Sequence, residues 1–294
     1  MSLMYHLVYN FLYLISLLPL GVLYLFSDLA YFIIYHLFGY RKKVVLQNLT
    51  IAFPHINNEE KIIIAKGFYK NFCDTFIETI KFISADEKFF RRHFTADYSI
   101  LDEVLASGRS VQLHLGHNFN WELANLAFPL FIPCKTLVVY APLQNKTMNR
   151  LLMKIRSKMG THLISSLNLK SDILPHRSTQ FVYALIADQT PLDVSKAYWI
   201  IFFNKPTPFF KGPEKSAKLN NFSVVFCHFT KSIRGKYVGH AKLATSSPRS
   251  LPEGALTKMY ANYIEELMSA NPEMWLWSHR RWKREWKEEY GEVM

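Results

Sequence analysis

The chain has 294 residues, with 35 Lys plus Arg against 23 Asp plus Glu for a formal charge of +12, and it is 50% hydrophobic and 15% aromatic. That length suits one large domain with an appendage, and the charge favours anionic partners. No long basic block, zinc-finger or helix-turn-helix signature is present, so nucleic acid falls behind a membrane surface as partner, and Cys73, Cys134 and Cys227 are too scattered for a disulfide framework or a cysteine metal site.

From Met1 to Ser27 there is no Asp, Glu, Lys or Arg, and the run Leu7 to Phe26 has the roughly 20 apolar residues that cross a bilayer. It lacks the basic start and small-residue cleavage site of a secretory signal. The shorter run Leu29 to Tyr40 reads as an interfacial helix. Arg41, Lys42 and Lys43 follow it and place the rest of the chain on the cytoplasmic side. Residues 1–43 are thus expected to anchor the chain at the membrane, and residues 44–294 to form the catalytic domain.

Asn57, Asn58, Glu59 and Glu60 mark a helix start, and the pattern predicts a helix from Glu59 to Ile83. Its apolar face would carry Ile62, Ile63, Phe68, Phe72, Phe76 and Ile80, leaving Lys66, Lys70, Asp74 and Lys81 exposed. Beyond residue 97, short β-like runs alternate with helical ones, the signature of an α/β fold. Strands are predicted at Val111 to Leu115, Thr136 to Tyr140, Phe181 to Ile186, Val224 to Phe229 and Tyr237 to Leu243. Helices are predicted at Trp121 to Pro129, Lys146 to Met159, Gly212 to Asn220 and Leu256 to Asn271.

The chemistry concentrates where the first of these strands ends. Gly116 breaks it, and a turn at Asn118 to Asn120 would fold Glu122 back towards His117. The carboxylate would then fix the imidazole tautomer while the other ring nitrogen takes a proton from a hydroxyl. Among 11 histidines such a spacing arises easily by chance, so the surrounding residues must carry the assignment.

Those surroundings resemble the bacterial lysophospholipid acyltransferase-like superfamily, and within it the late acyltransferases of lipid A that add lauroyl or myristoyl chains. Gly116-His117-Asn118-Phe119-Asn120-Trp121-Glu122 is close to the family's Gly-His-x-Gly-Asn-Trp-Glu, with Phe119 where glycine is usual. Asn48-Leu49-Thr50-Ile51-Ala52-Phe53-Pro54, Arg156 ahead of Gly160, Asp188-Gln189, Phe202 to Pro208 followed by Gly212, and Trp275 to Lys283 also match family segments in order. Asn204 again stands where glycine is usual.

The resemblance implies a central mixed β-sheet flanked by helices, the glycerolipid acyltransferase-like fold. It also implies transfer of a fatty acyl chain from acyl-carrier protein or acyl-CoA to a hydroxyl of a lipid A precursor, at the cytoplasmic face of a bacterial inner membrane. His117 would be the base and Glu122 its orienter. Arg156 would hold a phosphate or assist the oxyanion, and Asp188 would hold Arg156 or the acceptor, with Gln189 on the substrate side. Lys211 and Gly212 open a helix that could receive an anionic headgroup, and the Trp-rich basic C-terminus suits a membrane interface.

No metal and no cofactor are implied beyond the thioester co-substrate, because the candidate ligands lack a paired spacing. Two alternatives remain open: the same chemistry on a glycerophospholipid, aminolipid or glycolipid, and a membrane lipid-binding protein without activity. Nothing in the sequence sets acyl length or the number of copies in an assembly.

Overall fold

A computed structural model describes residues 3–294. In chain order the helical N-terminal part comprises α1 (Leu3–Ser16), α2 (Leu20–Phe32, continued by a π-helical stretch Ile33–Phe38), α3 (Lys42–Ala52), α4 (Asn58–Lys81) and α5 (Glu87–His93). The α/β part follows with β1 (Phe94–Ala96), α6 (Ser99–Ala106), β2 (Val111–Leu115), α7 (Trp121–Ala127), β3 (Lys135–Tyr140), α8 (Lys146–Arg156), β4 (His162–Ser165), α9 (Leu169–Ile173) and β5 (Phe181–Ile186). It closes with β6 (Ala197–Phe202), β7 (Lys205–Phe210), α10 (Gly212–Asn220), β8 (Ser223–Ile233), β9 (Lys236–Thr245) and α11 (Ala255–Ala270).

Seven strands form one mixed sheet in the order β1-β9-β8-β2-β5-β3-β4, parallel throughout except for the β8–β9 hairpin. β2 lies inside it with every residue buried, as expected for a parallel strand covered by helices on both faces. The α/β class with a helix-flanked mixed sheet is therefore as the sequence implied. β6 and β7 form a separate antiparallel pair. Their tight turn places Phe203 and Asn204 at φ of 51° and 56°, a conformation Asn tolerates better than most side chains. That tolerance explains how Asn204 replaces a glycine.

The N-terminal run does not form the single helix expected over Leu7 to Phe26. Pro19 supplies no N–H and disfavours helix at the residue before it, so α1 ends at Ser16 and α2 starts at Leu20. The continuous apolar helix is instead Leu20–Phe38, whose 19 residues are long and apolar enough to cross a membrane by length and composition.

α4 starts at a capping box. Asn57 Oδ1 accepts from Glu60 N, and Glu60 reaches back to Asn57 N. Its buried face differs from the expected one: Phe76 is 58% exposed and Asp74 only 1%. The reason is α2, which lies along α4 and brings Ser27 Oγ 2.7 Å from Asp74 Oδ1. Arg234, in the β8–β9 turn, bonds both Asp74 (3.0 Å from Nε to Oδ2) and Asp28 of α2 (2.7 Å from Nη2 to Oδ1). A buried carboxylate is tolerated where donors and a cation converge on it.

Candidate active site

β2 and β5 are neighbouring parallel strands in which Leu115 pairs with Ile186. His117 and Asp188 each lie two residues past that pair, so both chains leave the sheet side by side at its carboxyl edge, where open parallel sheets bind ligands. Gly116 makes the approach possible. A Cβ there would stand 3.3 Å from Asp188 Oδ2 and 2.9 Å from Ile264 Cδ1, so a side chain would crowd the Asp188 carboxylate and displace the tip of Ile264.

Three donors converge on Asp188. His117 Nδ1–H donates to Oδ1 at 2.6 Å, the His117 backbone N–H donates to Oδ2 at 2.8 Å, and Trp275 Nε1–H donates to Oδ2 at 2.7 Å. Burial acts to raise the Asp188 pKa, but the neighbouring His117 and these hydrogen bonds outweigh it and bring it down to about 2. The group is therefore a carboxylate under any physiological condition. Asp188 holds Nδ1–H in place, which leaves the lone pair on Nε2, and the Gln189 side-chain N–H lies 3.1 Å from it. The His117 side chain is 21% exposed while that of Asp188 is 1%, so the ring is reachable and its partner is dry.

Glu122 does not occupy the place expected for it. It opens α7, and its carboxylate accepts from Arg156 Nε at 2.9 Å and from Trp121 Nε1 at 3.1 Å, with Arg156 Nη2 closing the pair. Among the described residues no hydrogen bond joins Glu122 to His117. A helix start directs Glu122 towards α8, whereas strand pairing directs Asp188 towards the ring. Asp188 is expected from the sequence to hold Arg156 or the acceptor, and no hydrogen bond joins it to Arg156 among the described residues. Instead Arg156 serves Glu122 and Asp188 serves His117, and the Trp121 ring, 5.4 Å from that of His117, stands between the two pairs.

The turn between them is built from both ends of the chain. Asn120 caps α7 by accepting from Glu122 N and Leu123 N, and donates to Glu78 Oε2 at 2.7 Å. Glu78 also accepts from Tyr237 Oη at 2.9 Å and from Tyr24 Oη of α2 at 2.8 Å. Asn118 Oδ1 accepts from Phe229 N, and Phe119 N donates to Met274 O. Phe119 is 1% exposed, its ring stacked on Trp121 at 5.4 Å and 6.0 Å from Phe68. The residue in place of glycine is thus absorbed as core.

Three tryptophans of the C-terminal segment are core, whereas Arg280, Lys283 and Arg284 beside them are exposed. Trp275, Trp277 and Trp282 are 3%, 0% and 8% exposed. Asn48 clamps this segment from α3 by donating to Trp277 O and His279 O, a structural use for the Asn-Leu segment. His279 Nε2 accepts from Thr190 N at 3.1 Å, and burial pulls its pKa down to about 4. Lys211 and Gly212 lie apart from this group: Lys211 Nζ sits 4.5 Å over the Tyr198 ring at the start of α10. Among the described residues no hydrogen bond or ion pair links them to His117. Sequence reasoning did not assign Trp275 or Glu78 to the site. Trp275 was already conspicuous beside the His-Arg-Arg run, whereas Glu78 had no local signal.

An imidazole held by a dry carboxylate, open at Nε2 and set at the carboxyl edge of a parallel sheet, is equipped to take a proton from a hydroxyl and return it to a leaving group. The chain belongs to the bacterial lipid A biosynthesis acyltransferase family, whose model matches residues 2–284. Membership extends over nearly the whole length and makes this an acyltransferase fold with lipid A assembly as its setting. No curated protein matches the chain.

Proposed function

We propose that the protein transfers a fatty acyl chain from the thioester of acyl-carrier protein or coenzyme A to a hydroxyl of a lipid A precursor at the cytoplasmic face of a bacterial inner membrane. The observation that carries this reading is the reachable His117 ring anchored on Asp188, in a chain whose residues 2–284 match an acyltransferase family. His117 Nε2 removes the proton of the acceptor hydroxyl, and the oxygen attacks the thioester carbon. The resulting imidazolium is stabilised by the Asp188 carboxylate. Collapse of the tetrahedral intermediate expels the thiolate, which takes the proton from Nε2, leaving an ester and a thiol. Gln189 yields its place at Nε2 to the incoming hydroxyl. Glu122 and Arg156 act as a pair: they fix the start of α7 and the end of α8 beside the acyl-transfer site.

Membrane attachment is by α1 and α2 lying in the interface. Leu3, Leu7, Phe11 and Leu14 of α1 are 75%, 59%, 64% and 65% exposed, and Leu25, Leu29 and Phe38 are 68%, 56% and 79% exposed. These side chains form the apolar face of an interfacial helix pair. The opposite face of α2 is committed to the domain through Tyr24, Ser27 and Asp28. A spanning α2 would carry Asp28 into hydrocarbon, away from Arg234, which is costly.

The test is to incubate the purified chain with acylated carrier protein and a panel of hydroxyl-bearing lipids, weighing the products. An added acyl group on the lipid A precursor supports the reading. Product with lysophospholipid alone moves the acceptor to glycerophospholipid, and no product with any acceptor removes the enzyme.

A further inference from the structure

Glu78 lies in the last turn of α4, is 2% exposed, and receives three neutral donors from three different elements. Tyr24 Oη–H of α2 donates to Oε1 at 2.8 Å, while Asn120 Nδ2–H and Tyr237 Oη–H of β9 donate to Oε2 at 2.7 and 2.9 Å. Among the described residues no cation pairs with it, in contrast to Asp74 one turn earlier, which pairs with Arg234 and Lys231. A carboxylate buried without a cation is a costly way to gain stability. Donors on both of its oxygens do, however, hold it in one orientation.

That orientation is passed to the turn after β2. Each residue that follows His117 there is pinned from outside: Asn118 by Phe229 N, Phe119 by Met274 O and Asn120 by Glu78. Asn120 uses its other amide group to cap α7, and so seats Trp121, whose ring lies 5.4 Å from that of His117. At the far end Tyr24 is clasped by the β8–β9 turn. Arg234 stacks on its ring at 4.2 Å, and a Cβ at Gly235 would collide with its hydroxyl. A continuous line of hydrogen bonds therefore runs from α2 through Glu78 to the turn that carries the imidazole.

We propose that Glu78 is a positioning residue for acyl transfer: it fixes the turn that carries His117 and takes its own orientation from Tyr24, so that docking of the interfacial helix sets the catalytic geometry. This rests on the role of His117 and the placement of α2 proposed above.

The experiment uses the full chain and four single variants, with thermal unfolding as the check on folding. Asn120→Ser keeps a cap for α7 but is too short to reach Glu78. Tyr24→Phe removes one donor and keeps the ring under Arg234. Glu78→Ala removes the acceptor, and Glu78→Gln keeps an oxygen for Asn120 while turning an amide towards Tyr24 Oη. In Asn120→Ser and Glu78→Ala, kcat should fall about tenfold to hundredfold, the scale of an ångström-sized misplacement, with both KM values within about twofold of the parent. Tyr24→Phe should lose about fivefold in kcat, the share of a single hydrogen bond. Glu78→Gln should recover most of what Glu78→Ala loses. Parental kcat in either Asn120→Ser or Tyr24→Phe overturns the proposal, as does a loss that appears in KM alone. The rate at which diethylpyrocarbonate modifies His117, read by peptide mass spectrometry, requires no turnover. If no form turns over, the reaction proposed above falls and these rates decide. A several-fold rise in Asn120→Ser and Tyr24→Phe then supports the positioning role, and parental rates overturn it.

Discussion

His117 Nδ1 lies 2.6 Å from Asp188 Oδ1 although 71 residues separate the two in the chain. The contact follows from the parallel register of β2 and β5, and it reassigns the carboxylate partner of the histidine from Glu122 to Asp188.

Replacing Asp188 by Asn keeps the shape and removes the carboxylate that fixes Nδ1–H. Turnover should fall about 10³- to 10⁴-fold, the scale seen when a triad carboxylate is lost. Near-ultraviolet circular dichroism should stay close to that of the parent. Turnover within tenfold of the parent would leave the His117–Asp188 contact without a catalytic role.

Glu122 and Arg156 predict a different pattern. Glu122→Ala strands a guanidinium that is 22% exposed, and breaking a mostly buried pair from one side costs about 3–5 kcal/mol. Urea unfolding should show that loss, and the double change Glu122→Leu/Arg156→Met should recover most of it. A stable Glu122→Gln protein with turnover as low as Asp188→Asn would instead return Glu122 to the role of orienting His117.

Acid stability has two windows. Burial pulls the pKa values of His114, His228 and His279 down to about 3, 4 and 4, while the unfolded chain takes its protons near 6.5. The unfolded state therefore gains protons first, and stability is lost as pH falls from about 6.5 towards 4. Asp188, depressed to about 2, contributes stability that is present above its unfolded value and lost as pH falls through about 2. Urea midpoints measured against pH should decline across the upper window. His279→Asn, which keeps an acceptor for Thr190 N, should flatten part of that slope.

Arg234 joins the β8–β9 turn to Asp28 and Asp74 at 2.7 and 3.0 Å. Arg234→Ala should loosen α2 from α4, seen as several-fold faster limited proteolysis at the α1–α2 junction with the sheet still resistant. An unchanged cleavage pattern would mean that apolar contacts alone hold the helix.

The sheet was legible where its strands are apolar. β2 and β5 coincide with the predicted runs, since Val111 to Leu115 and Phe181 to Ile186 are buried parallel strands. β1 and β4 escaped because they are short and lie at the two edges of the sheet. β7 was obscured by Pro206 and Pro208, which argue against a central strand but are tolerated in a two-stranded pair. At the site, His117 was legible from Gly116 and the strand end. The identity of its partner was not, because a local spacing points to Glu122, and only the adjacency of β2 and β5 brings Asp188 to the ring. Asp74, expected on the exposed face, is buried for the same reason: a helical wheel of α4 alone does not contain α2.

In the proposed reaction His117, held by Asp188, removes the acceptor proton during acyl transfer to a lipid A precursor. The most direct measurement is the mass of lipid A from cells lacking the chain, supplied with either the parent protein or a His117→Ala form present at equal level in the membrane. One additional ester-linked acyl group is expected with the parent and none with the variant. Equal acylation by the two forms, or no mass difference with either, would contradict it.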